Sequence, residues 1–95
     1  MRDYELVAII NPEIDEEGVS TIIDKVSQSI DSRGGVVEDV KKWGRRKLAY
    51  PIREFMEGDY VLARFKLTPK SVKELEGEIS ASVDILRYLV IKVED

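Results

Sequence analysis

The sequence predicts an α+β domain in which a four-stranded antiparallel sheet carries two helices on one face, in the chain order β-α-β-β-α-β. Three observations lead there. Two segments repeat apolar residues at helical spacing, and the segments around them are rich in alternating β-branched and aromatic residues. Asn11-Pro12, Gly34-Gly35 and Thr68-Pro69 punctuate the joins.

Residues 3–10, DYELVAII, alternate and then run apolar until Asn11-Pro12 stops them, as a first strand does at a turn. Asp15 before Glu16 and Glu17 supplies N-cap and first-turn chemistry, and Val19, Ile22, Ile23, Val26 and Ile30 follow at helical spacing. The first helix therefore runs to about Arg33, where Gly34-Gly35 ends it. VVEDVKKWGRRKLAYPI, residues 36–52, reads as a long irregular second strand with a bulge or bend at Gly44. MEGDY, residues 56–60, has hairpin-turn composition and sends a third strand, VLARFKL at 61–67, back along the second. Thr68-Pro69 fits the cap and first position of a second helix over roughly 69–82, with Val72, Leu75, Ile79 and Val83 at helical spacing and Gly77 as a local weakness. ILRYLVIKV, residues 85–93, is the last strand. Such an arrangement is ferredoxin-like.

At 95 residues and 43% hydrophobic content, the chain suits a single domain, 1–95, with one core. No apolar run approaches a membrane span, and Met1-Arg2-Asp3 leads straight into a strand rather than a signal segment, which predicts a soluble cytoplasmic protein with no membrane partner. Cysteine and histidine are both absent, which removes disulfides, thiolate nucleophiles, the usual general base and the commonest nitrogen ligand. EIDEE, residues 13–17, lacks the alternating pattern of a calcium loop and reads as helix-capping chemistry. Asn11 is the one asparagine, and no glycine-rich phosphate loop precedes a helix, so a small phosphohydrolase has no visible machinery. The expectation is a chain without catalysis, metal, cofactor or small-molecule substrate.

With helices on one side only, the other face of the sheet must meet water or a partner. Strands one, three and four carry apolar residues in both alternation phases, which places Val7, Ile9, Tyr60, Leu62, Leu89 and Ile91 on the open face as a candidate protein interface. Net charge is -4 with a pI near 4.9, whereas nucleic-acid-binding domains usually lie above about 9. The charge is nevertheless polarised. Residues 13–24 hold Glu13, Asp15, Glu16, Glu17 and Asp24 without a cation, and residues 41–47 hold five cations without an acid. Lys and Arg suit phosphates, and Trp43 and Tyr50 suit stacking on unpaired bases, although the same cations also protect an edge strand against aggregation. Leu48, Tyr50 and Ile52 share one face with Arg46 in phase, while Arg45, Lys47 and Arg53 fall on the other. EGDYVLARF is faintly similar to the aromatic strand of an RNA-recognition motif, but Tyr60 and Phe65 are in opposite phase and form no stacking platform.

Gly44-Arg45-Arg46-Lys47-Leu48-Ala49-Tyr50-Pro51-Ile52 resembles the characteristic segment of the S-six family of bacterial small-subunit ribosomal proteins: glycine, any residue, basic, basic or polar, then Leu-Ala-Tyr-x-Ile. Arg2-Asp3-Tyr4-Glu5, Asn11-Pro12 and Arg87 are similar to that family too, and the resemblance spans the chain in unbroken element order. It implies a non-catalytic structural constituent of the small ribosomal subunit. Such a protein binds central-domain 16S ribosomal RNA together with a small basic protein, S-eighteen. Carried over by position, the family segment puts Arg45, Arg46 and Lys47 near RNA, with Arg2, Lys42, Arg53 and Arg87 added from charge and sheet position. Leu48, Ala49 and Tyr50 read as scaffold. Many members continue into a polar tail that reaches the partner, whereas this sequence runs to Asp95. The alternative that the apolar face would also suit is a self-associating, ligand-sensing regulatory domain.

Overall fold

The computed structural model describes residues 1–93. Along the chain lie β1 (Arg2–Ile10), α1 (Glu16–Ser32), β2 (Val36–Ile52), β3 (Phe55–Leu67), α2 (Pro69–Ala81) and β4 (Ile85–Lys92). The strands form a four-stranded sheet in the order β2-β3-β1-β4. Every neighbouring pair is antiparallel. The α+β, ferredoxin-like architecture is the one expected.

Alternation decides which residues enter the core. Along β1, Tyr4, Leu6, Ala8 and Ile10 are buried, and across the β1–β3 pairing they meet Phe65, Ala63, Val61 and Asp59. Val19 and Ile30 of α1 and Val72, Leu75 and Ile79 of α2 pack on this same face of the sheet. Both helices therefore cover one side, and Phe65, Leu67, Leu75 and Ile30 lose their water entirely.

Helix ends follow the expected chemistry. The Asp15 carboxylate accepts from the Gly18 amide at 2.8 Å, and Thr68 Oγ1 accepts from the Ser71 amide at 3.4 Å. At the end of α1, Gly34 adopts φ 80°. Its amide bonds to the Asp31 carbonyl at 3.0 Å while the Gly35 amide bonds to the Ile30 carbonyl at 2.9 Å, the paired bonds of a Schellman stop.

The hairpin departs from expectation. MEGDY is not a turn but the first part of β3, which begins at Phe55, and the reversal is made by Arg53 and Glu54 between the paired residues Ile52 and Phe55. Both turn residues are left-handed, at φ 49° and 72°, as a two-residue hairpin loop requires and as Arg and Glu do not advertise. Gly58, which carries the turn-like composition of that segment, serves packing instead. A Cβ there would collide with Ile9 Cγ2 across the sheet.

On the outer side of the helices, Arg33 Nη2 meets Glu78 Oε1 at 2.7 Å and Ser29 Oγ donates to Glu78 Oε2 at 2.5 Å, tying α1 to α2. The Ser29 hydrogen bond, then that of Arg33, holds the Glu78 carboxyl below its ordinary range against a small opposing effect of burial. A depressed native value stabilises the fold above the ordinary carboxylate range, and the contribution disappears as acid takes the pH down through that native value. Melting curves from neutral pH to strong acid should show a smaller acid loss for Glu78→Gln than for the parent chain. Because Glu78 is exposed, the difference should stay under about 1 kcal/mol; identical acid profiles would show that the link contributes nothing.

Candidate nucleic-acid interface

A bulge opens the basic segment of β2. Pairing with β3 shifts between Lys42 and Gly44, leaving Trp43 as the extra residue, and Gly44 at φ 80° supplies the left-handed backbone. Beyond this point β2 forms an arm with the start of β3.

The bulge separates the cations by role. Lys42 faces α1 and donates to Ser20 Oγ at 2.8 Å. Arg45 is also turned toward the helix side, where its Nε lies 3.5 Å from Asp59 Oδ1 and its Nη2 bonds to the Pro12 carbonyl at 2.5 Å. Arg45 thus clamps the arm to the β1–α1 loop. Arg46 stacks its guanidinium on Trp43, 5.2 Å from the ring centroid. Among the described residues neither Arg46 nor Lys47 has a carboxylate within ion-pair distance, and both are exposed. Arg53, in the turn, donates to the Val83 carbonyl at 2.9 Å. Arg87 of β4 bonds to the Tyr50 hydroxyl, with its guanidinium 5.8 Å from that ring's centroid.

Arg2 stands apart. It pairs with Leu67 at the far end of β1, whereas the arm departs near the Ile10–Asp59 pair. At about 3.4 Å per residue the separation is roughly 27 Å. The structure gathers Arg45, Arg46 and Lys47 on one arm and does not bring Arg2 to it.

The open face shows the residues expected there. Leu62, Val7 and Leu89 make one row across β3, β1 and β4, and Tyr60, Ile9 and Arg87 make the next. Ile91 lies beside Glu5, at the start of a charged zone where Glu5 meets Arg64 at 4.0 Å and Asp3 meets Lys66 at 3.9 Å. The apolar patch is therefore bounded at one end by ion pairs. Leu89 and Ile91, on the edge strand, are the most open of the six, at 55% and 45% exposure.

No helix covers Ile9 and Tyr60, yet they are only half-exposed. The cause is the arm, which curls over this end of the sheet and lines a pocket with Ile9, Leu48, Tyr50, Ile52, Tyr60 and Arg87. Leu48 is buried at 8% exposure above Gly58, whose missing side chain makes room. Reading phase alone gave the shared face of Leu48, Tyr50 and Ile52 but not its folding back onto the sheet. The distinction missed in the sequence was between engaged and free cations, for which five cations among the seven positions 41–47 offer no signal.

Among the described residues no group of three or more acidic side chains is arranged to hold a metal ion. The family model described as ribosomal protein S6 matches residues 3–92. The small ribosomal subunit protein bS6 of Clostridium novyi is 45% identical over 94 residues, covering 99% of this chain and 99% of the relative. The protein of the same name from Moorella thermoacetica is 40% identical over 95 residues, covering 100% of this chain and 97% of the relative. Among solved structures, the 30S ribosomal protein S6 of Thermotoga maritima superposes with a TM-score of 0.91 at 32% identity, over 97% of this chain and 87% of that one.

Proposed function

Because the chain belongs to the ribosomal protein S6 family, we propose that it joins central-domain 16S ribosomal RNA to the small basic protein S-eighteen during assembly of the small ribosomal subunit. Proteins of this family are structural constituents of the cytoplasmic ribosome and not enzymes. In this chain residues 1–95 would act as one ribosomal-protein domain.

What supports RNA contact is the free charge of the exposed Arg46 and Lys47 on the arm. Phosphate contacts from Lys and Arg release counterions, so they generate affinity even in a protein of net charge -4. Arg45 and Lys42 contribute first by holding the arm in place, Arg53 by fixing its tip, and Arg87 by seating Tyr50. Arg2 would meet RNA only at a second, distant point. For the protein partner, Val7, Ile9, Tyr60, Leu62, Leu89 and Ile91 offer an apolar patch on the face that no helix covers. The acidic start of α1 lies on the helix side, so it would draw a basic partner by long-range attraction rather than by joining that patch.

Filter binding of the chain to a central-domain ribosomal RNA fragment, with and without S-eighteen across a salt series, tests the reading. Binding that strengthens with the partner and falls steeply with salt is expected. No retention of RNA under either condition would overturn it and favour self-association through the open face, which light scattering detects.

A further inference from the structure

Trp43 has no place in the core. It belongs to neither cluster of packed apolar residues, leaves 45% of its surface in solvent, and sits where the bulge turns the edge strand outward. Tyr50, the other aromatic of the basic segment, is engaged by Arg87 over the open face. Trp43 instead carries over its ring the guanidinium of Arg46, a cation with no acidic partner among the described residues. Lys41, Lys42, Arg45, Arg46 and Lys47 surround it in sequence. An exposed indole that carries an unpaired guanidinium disfavours an ordinary apolar protein surface but suits a flat ligand that brings its own anion.

We infer that Trp43 and Arg46 form a preassembled stacking site for one unpaired nucleobase of ribosomal RNA, with the Arg46 guanidinium taking a flanking phosphate. The inference rests on the RNA-binding reading above and adds a base contact to it. Every nucleobase has a π-face, so an indole accepts it without reading sequence, and a guanidinium already lying over the ring holds the indole before RNA arrives. Gly44 matters because only its left-handed backbone lets the bulge hold Trp43 outward.

The test compares the parent chain with Trp43→Ala and Trp43→Phe on the central-domain RNA fragment in the presence of S-eighteen. Trp43 is the single tryptophan of the chain, so its fluorescence, taken as the difference from the Trp43→Phe complex, reports directly on stacking. Trp43→Ala should weaken binding about fivefold to hundredfold, the range seen for loss of one base–aromatic stack. The slope of log affinity against log salt should not change, since stacking releases no counterions. Trp43→Phe should recover part of the loss, and RNA should quench the parent's indole. If the parent binds RNA but Trp43→Ala binds equally and the indole is not quenched, stacking is wrong and phosphate binding stands. A weakened Trp43→Ala with a shallower salt slope would mean that the indole merely positions Arg46, which also overturns the site. If the parent does not bind at all, both readings fall together.

Discussion

Replacing Arg46 and Lys47 together by alanine is expected to weaken RNA binding by on the order of tenfold for each charge removed, with no change in melting temperature. The reason lies in how each arm cation is already occupied. A charged contact contributes about 1.5–3 kcal/mol in favourable geometry, and exposure to water reduces this to roughly the 1.4 kcal/mol of a tenfold change. Two lost phosphate contacts should also flatten the salt dependence by about 1.4–1.8 in slope. Arg45→Ala should behave differently. It breaks the pair with Asp59 and the bond to the Pro12 carbonyl, so the chain should lose about 1 kcal/mol of stability. Its salt slope should remain close to the parent's. Equal salt slopes for the parent and the Arg46/Lys47 double variant would show that RNA does not use these two residues.

Phe65→Ala should destabilise the fold by about 3–5 kcal/mol, the range for removing a fully buried aromatic. Phe65 is completely enclosed and stacks on Tyr4 at 5.7 Å between ring centroids. It also lies between Tyr4 of β1 and Val37 of β2 in the strand pairings. One substitution therefore loosens three neighbouring strands and the floor beneath both helices. Against a usual total of about 5–15 kcal/mol the loss is large, and for a chain of this size it should lower the melting temperature by on the order of 20 °C. A loss under about 1 kcal/mol in denaturant unfolding would mean that the core closes around the cavity.

Both predictions rest on features of unequal legibility. Val61, Ala63, Phe65 and Leu67 reveal their common face by alternation, and Val7, Ile9, Tyr60, Leu62, Leu89 and Ile91 follow as the opposite one. Asp15, Thr68 and Gly34 mark helix ends through hydrogen bonds made within a few residues, so sequence carries them. The hairpin was misread because Arg53 and Glu54 accept left-handed backbone under the demand of pairing, while Gly58 answers to Ile9, which is far away in sequence. The same limit hides the arm. Leu48 lies over the open face in a pocket shared with Ile9 and Tyr60, and Arg45 finds Asp59 and Pro12 only once the register shift between Lys42 and Gly44 has set its direction. Local chemistry writes caps and phases; distant partners decide which cations remain free.

The strand order has a consequence in time. β1 lies between β3 and β4, so the first strand to be synthesised acquires neither lateral partner until much later in the chain. The β2–β3 hairpin, by contrast, closes across a two-residue loop and needs no distant segment. During translation the basic arm has its local partner as soon as β3 emerges, while the apolar patch cannot be completed until residues 85–92 have left the ribosome and paired with β1. Non-local closure of this kind slows folding relative to local pairing. A nascent chain therefore offers its charge before it offers its patch.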